Sequence, residues 1–398
     1  MTSPRAESLT GTSKSSSRST DFPKRILFVF GTRPEAIKLC PLISAFRKNP
    51  FNEILQPIVC VTGQHREMLD QVLRVFDINP DFDLDVMRTG QSLPELTARL
   101  LTALPRVFEQ VQPSLTVVQG DTTTTLCGAL SSFYAGPEVA HVEAGLRTFH
   151  PRMPFPEEMN RVLTARLATL HFAPTRGAAD NLLREGVDES AIEVTGNTGI
   201  DAVLFVRDRL QNGSIYGLNV PFDTSRKLIV ITAHRRESFG SDFDNICQAV
   251  SLLAEREDVQ VVWPVHRNPN VTEPVSRILG GKANVVLLEP LEYIQFIDLM
   301  QRAYLLITDS GGIQEEGPSL GKPILVLRNT TERPEAVQAG TVKLVGTDPG
   351  RIVHETVHLL DSPERYETMA RLHNPYGDGH ACQRIAKRIA SHLAIPLP

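Results

Sequence analysis

Asp121, Glu143 and Glu157 are acidic residues in settings that ordinary surface carboxylates do not share. Asp121 follows the apolar run Leu115-Thr116-Val117-Val118-Gln119 and a glycine. Glu143 closes the short run Glu138-Val139-Ala140-His141-Val142 ahead of Ala144-Gly145. Ligands of an open parallel sheet collect outside the carboxyl ends of its strands. Carboxylates at two strand ends, with Glu157 close behind, therefore point to one pocket equipped to move protons. The plainer reading makes Asp121 and Glu143 turn or cap residues. Glu157 is then a favourable charge at the start of a helix near Glu158-Met159-Asn160-Arg161. A second set of residues suits phosphate. Gly31-Thr32-Arg33-Pro34 opens a helix after an apolar run, with Lys38 within reach, and Asp309-Ser310-Gly311-Gly312 repeats the strand, turn and helix start. Backbone N–H groups and the helix dipole receive anions at such ends. Glu316, a turn into the second of these helices, could accept from ribose hydroxyls. His234, beside Arg235 and Arg236, is placed to donate to a phosphate or carry a proton. His266, followed by Asn268 and Pro269, reads more readily as structural.

The elements that must hold these groups alternate. Ile26-Leu27-Phe28-Val29-Phe30 and Ile58-Val59-Cys60-Val61-Thr62 are buried-type strands, and a long helical region covers Leu93–Val111. Further strands are expected at 115–119, 138–142 and 170–174, the pattern of a doubly wound α/β domain. It restarts at Leu228-Ile229-Val230-Ile231-Thr232 and continues at 259–266, 285–288, 304–309 and 322–327. Gly196-Asn197-Thr198-Gly199 and the polar stretch near Gln211-Asn212-Gly213-Ser214 read as the connection. The expected domains are 24–199 and 200–379, two Rossmann-like α/β units facing a central cleft, with a terminal helix at 380–398 completing the first.

Length supports the same division, since 398 residues exceed what one core usually serves. A net charge of −5 and a pI near 6.1 argue against nucleic acid as the main partner. The five cysteines are scattered through apolar runs, which fits a reducing compartment rather than a disulfide framework. No Cys/His cluster or His-Glu-x-x-His segment is read as a metal site, and no dinucleotide fingerprint as a nicotinamide site. No apolar run reaches the roughly 20 residues of a membrane helix. Residues 1–23 are polar and read as a disordered tail without the apolar segment of a secretory signal. A cytoplasmic protein is expected. Gly317-Pro318-Ser319-Leu320-Gly321-Lys322 echoes a P-loop but is one residue short, and Pro323 replaces the hydroxyl residue.

Gly31-Thr32-Arg33-Pro34-Glu35, Gly120-Asp121-Thr122-Thr123, His141-Val142-Glu143-Ala144-Gly145-Leu146-Arg147 and Pro156-Glu157-Glu158 resemble signatures of the non-hydrolysing UDP-N-acetylglucosamine 2-epimerases. So do Ala233-His234-Arg235-Arg236-Glu237, Asp309–Glu316 and Glu332-Arg333-Pro334-Glu335. The resemblance runs from about Lys24 to the last helix. It implies the glycosyltransferase-B architecture, a homodimer, no cofactor, and interconversion of UDP-GlcNAc and UDP-ManNAc for bacterial surface polysaccharide. The implied catalytic set is Asp121, Glu143, Glu157 and His234. Arg33, Lys38, His234, Ser310, Gly311, Gly312, Glu316 and Arg333, with Asp121 and Glu143, would bind substrate, and Phe296 and the Leu291 backbone would lie near the uracil. Gln64 and His266 match a second, activating substrate site of some relatives, while Glu67 and Gly90 depart from that pattern. The rival readings are a UDP-sugar glycosyltransferase of the same architecture and a non-catalytic UDP-sugar sensor, which would need the nucleotide residues but not the three carboxylates.

Overall fold

The apolar runs pair into two wholly parallel sheets in a computed structural model that describes residues 23–63, 66–88 and 90–394. The first contains β1 (Lys24–Phe30), β2 (Leu55–Val61), β3 (Phe82–Asp83), β4 (Leu115–Gln119), β5 (Glu138–Val142), β6 (Leu170–Ala173) and β7 (Ile192–Val194), in the order β3-β2-β1-β4-β5-β6-β7. The second contains β8 (Lys227–Thr232), β9 (Val259–Pro264), β10 (Val285–Leu288), β11 (Leu305–Thr308), β12 (Ile324–Val326) and β13 (Val342–Leu344), ordered β10-β9-β8-β11-β12-β13. Both are wound outward from the first strand, so each has a crevice where the winding reverses, between β1 and β4 and between β8 and β11. Residues Ile26 to Phe30 are completely buried, as a central strand covered by helices on both faces requires.

One buried apolar cluster runs from Phe28 and Phe46 through Val203 and Val206 to Val230 and Ile324, joining the two sheets. Where the sequence suggests a connection at 196–199 and near 211–214, the chain instead forms the helix Thr198–Gln211. Asn197 caps it by accepting from Gly199 N (2.8 Å). That helix packs on Arg33–Phe46 from the first half and on Tyr293–Arg302 from the second. The last helix, Ala381–His392, returns to the same place, with Ala381 N and Cys382 N donating to Asp201 (3.2 and 2.9 Å). Among the described residues no helix is long and apolar enough to cross a membrane.

Glu35 ties two of the site turns together. It is 1% exposed and accepts from Gly31 N (3.0 Å), Thr32 N (2.7 Å), Thr122 Oγ1 (2.7 Å) and Thr125 Oγ1 (3.2 Å). Burial raises its pKa, and the hydrogen bonds from Thr32, Thr122 and Gly31 oppose that rise. Glu35→Ala strips the partner from Gly31 N, Thr32 N and Thr122 Oγ1, while Thr125 Oγ1 keeps the Gln119 carbonyl (2.6 Å), so it should lower the unfolding free energy by ~3 kcal/mol or more, measured by urea denaturation. A loss below ~1 kcal/mol would mean that water replaces the carboxylate there.

Candidate active site

Asp121, Glu143 and Glu157 line one cavity of about 600 Å³, together with Arg33, Lys38 and Asn160. Asp121 sits in the turn after β4, and its carboxylate pairs with Arg161 at 2.8 Å. Burial pushes its pKa up to about 6, against the pull of Arg161; Glu143 and Glu157 add to the rise, and Lys38 opposes it. An acid near that value can give or take a proton around neutrality. Glu143 follows β5 with a left-handed backbone (φ 63°), a conformation that non-glycine residues hold only where the surroundings enforce it. Lys38 Nζ and Gln119 Nε2 (2.8 Å) both donate to its Oε2. Burial lowers the Lys38 pKa, but Glu143 and then Glu315 outweigh it and keep the ammonium charged.

Glu157 and Glu158 begin the helix Glu157–Leu167 and divide the work. Glu157 faces the cavity. Glu158 is buried and accepts from Thr148 N (3.1 Å) and Phe149 N (2.9 Å), fixing the loop that leads into the helix.

Across the cleft, buried Asp309 accepts from His234 N and Arg235 N, both at 2.7 Å, and its other oxygen lies 3.3 Å from His234 Nδ1. The His234 ring stacks on His266, with centroids 5.6 Å apart. Ser310 is the N-cap of the helix Gly311–Glu316 but leaves its hydroxyl out of the cap. A side chain at Gly311 would meet the Arg333 guanidinium at 3.7 Å and that of Arg235 at 3.9 Å, so two cations flank this helix start; Gly312 beside it is exposed. Arg333 pairs with Glu315, which also accepts from Asn197 Nδ2 (2.8 Å). Half-buried Glu316 is pushed up to about 8 by burial and then by Glu315, while Lys38 and Arg33 draw it down from the opposite wall. A second cavity of about 440 Å³ contains Arg333, Glu315 and Tyr376, and Glu143 lines it too. Leu291 and Phe296 pack half-buried against the core. Gln64 lies outside the described residues. A hollow of about 690 Å³ between β3 and the helix Leu93–Val111 contains none of the candidate residues.

Gln119, Asn160, Arg161, Asn197 and Glu315 are contacts of the site that sequence reasoning did not assign. Gln119 had a signal, being a polar end to a buried strand. Asn160 and Arg161 had another, at i+3 and i+4 from Glu157. One segment bears on the metal question. His354-Glu355-Thr356-Val357-His358 does have the His-Glu-x-x-His spelling, on the outer helix Pro349–Asp361. Its two rings lie 4.1 Å apart, but Lys343 holds Glu355 (2.6 Å) and Arg365 Nη1 meets His358 Nδ1 (2.6 Å). Among the described residues no group of three or more His, Cys, Asp or Glu could hold a metal ion.

The family model for UDP-N-acetylglucosamine 2-epimerase matches residues 48–390. The chain belongs to the UDP-N-acetylglucosamine 2-epimerase family. The UDP-N-acetylglucosamine 2-epimerase of Escherichia coli O157:H7 is 55% identical over 374 residues, covering 92% of this chain and 99% of that one. The Neisseria meningitidis UDP-GlcNAc 2-epimerase, solved bound to UDP-GlcNAc, is 45% identical, covers 92% of this chain and 100% of its own, and has a TM-score of 0.82. The kitacinnamycin glycotransferase shares the fold alone, at 12% identity and a TM-score of 0.61, covering 95% of this chain and 100% of its own. This family is one of isomerases, so the transferase and sensor readings are set aside.

Proposed function

We propose that the chain interconverts UDP-GlcNAc and UDP-ManNAc by anti-elimination of UDP to 2-acetamidoglucal and re-addition. The observation that carries this reading is the single cavity of Asp121, Glu143 and Glu157, walled by Arg33 and Lys38 and adjoining Arg333 through Glu143. The C2–H of the sugar is not acidic on its own. Departure of UDP makes C1 oxocarbenium-like, and C2–H then becomes removable. A carboxylate takes the C2 proton, the C1–O pair leaves with the β-phosphate, and a C1=C2 double bond forms. For return, a proton arrives at C2 on the opposite face and the phosphate oxygen attacks C1. Carboxylates serve the proton steps and cations serve the departing charge.

In this reading His234, Ser310, Gly311 and Gly312 hold the diphosphate with Arg33, Lys38 and Arg333. Glu316 accepts from the ribose, Phe296 and the Leu291 backbone bound the uracil, and Gln64 with His266 would form any second substrate site. The working form is a cytoplasmic homodimer whose subunits have two units meeting at the helix Thr198–Gln211, supplying ManNAc units to surface polysaccharide. Exposed Phe133, Tyr134 and Leu163 offer apolar surface for the dimer contact.

Incubation with UDP-GlcNAc in D2O, without acceptor or added nicotinamide, tests the reaction. UDP-ManNAc should appear carrying deuterium at C2, and an oxygen label in the sugar–phosphate bridge should scramble into the diphosphate. Product without C2 deuterium, or a bridge oxygen that never scrambles, would exclude elimination and re-addition even where epimerisation occurs.

A further inference from the structure

One face of the helix Glu157–Leu167 does more than present Glu157. Residues at i, i+3 and i+4 share a face, and here they are Glu157, Asn160 and Arg161. Asn160 Nδ2 donates to the Asp121 carbonyl at 2.9 Å, and Arg161 Nη2 lies 2.8 Å from Asp121 Oδ2. The preceding carbonyl, that of Gly120, is held by His141 Nε2 at 2.7 Å. Arg161 also faces backward. Its Nη1 is 3.6 Å from Glu158 Oε2, the carboxylate that fixes the 148–149 backbone. The Arg161 side chain is 11% exposed and that of Asp121 30%, so water screens the pair only in part.

We propose that Arg161 is a positioning residue, which fixes the Asp121 carboxylate relative to Glu157 and keeps it ionised at working pH. The inference rests on the elimination reading, since it concerns the protonation of one of that reaction's carboxylates. The groups facing Asp121 are few and their signs are known. Arg161 and Lys38 favour the charged form, while Glu143 and Glu157 oppose it, and burial opposes it most. Glu158, behind Arg161, keeps the guanidinium from swinging away. Asp121 therefore titrates as a compromise in which Arg161 is the largest favourable contribution. A merely structural ion pair would stabilise the fold without governing that titration.

The test compares wild type, Arg161→Gln and Arg161→Lys by the pH profile of kcat/KM. The wild-type acid limb is expected near pH 6. Arg161→Gln should move it upward by about 1–3 pH units, the usual effect of removing a close opposite charge. Arg161→Lys should leave the limb in place but lower kcat by about 10-fold, because one ammonium cannot span both carboxylates as a fork does. A titration of carbon-13-labelled aspartate, with Asp121→Asn identifying the Asp121 signal, reads the same midpoint without substrate. A midpoint unmoved in folded Arg161→Gln overturns this inference alone. A wild type that leaves UDP-GlcNAc unchanged overturns the assigned reaction alone. If the glutamine variant does not fold, an unaltered kcat in Arg161→Lys overturns the proposal.

Discussion

Asp121→Asn, Glu143→Gln and Glu157→Gln are each expected to lower turnover of UDP-GlcNAc by at least ~10²-fold, the lower end of what positioned acid–base groups contribute. The three substitutions keep shape and remove the proton-transfer group, so the loss should fall on kcat rather than KM. The physical grounds differ by residue. Asp121 titrates close to neutrality, and an amide can neither donate nor accept a proton there. Glu143 has one oxygen engaged by Lys38 and Gln119, and both cavities reach it. A glutamine at 143 would leave the Lys38 ammonium facing a neutral amide. Glu157 lines the cavity on the helix that also grips Asp121. For Asp121→Asn and Glu157→Gln the proposed nucleotide contacts keep their partners, so UDP affinity by calorimetry should stay within ~3-fold of wild type, well under the tenfold that 1.4 kcal/mol represents. Glu143→Gln changes the partner of Lys38, a proposed diphosphate contact, and is judged by kcat alone. Near-normal turnover in any variant would remove that residue from the catalytic set.

The reasons why some of this was legible in the sequence are physical. β4 and β5 were bounded residue for residue because each is an apolar run ended by a sharp change of character, at Gly120 and Glu143. β3, β7 and β13 were not foreseen. They are two or three residues long and exist because a neighbouring strand pairs with them, which periodicity cannot express. The helix Thr198–Gln211 reads from sequence only as a connection, because Gly196 before it and Gly199 in its first turn imitate a linker while Asn197 caps the helix.

The site shows the same division. Residue type and strand-end position marked Asp121 and Glu143, and the structure brings both into one cavity with Glu157. What each carboxylate touches was hidden. Lys38 reaches Glu143 across 105 residues and Asn197 reaches Glu315 across 118, and spacing carries no record of either. Adjacent Glu157 and Glu158 could not be told apart by type. The loop amides that claim Glu158 are supplied only by the folded chain.

Arg333→Met is expected to reduce kcat/KM by ~10²–10³-fold, the range for removing one preorganised donor from a site of developing charge. In the proposed elimination, negative charge grows on the β-phosphate oxygen as C1–O breaks, so a cation there does more for the transition state than for the ground state. Arg333 suits that place. Its guanidinium packs against Gly311 at the helix start, and Glu315, then Glu143, hold it firmly in the charged form. Kcat should therefore fall further than UDP affinity does. A rise in KM with kcat kept would make Arg333 a uniform binding contact instead. Arg333→Lys should recover only part of the loss, since a point charge lacks the planar fork. One complication is built into the pair. Removing Arg333 leaves Glu315, 6% exposed, with Asn197 as its remaining side-chain donor, and a broken buried pair costs about 3–5 kcal/mol of stability. Arg333→Met combined with Glu315→Gln removes both charges at once and separates the two effects. The double variant should regain most of the lost thermal stability and none of the lost kcat. Recovery of turnover with stability would show that Arg333 serves the fold and leaves the departing phosphate to Arg33 and Lys38.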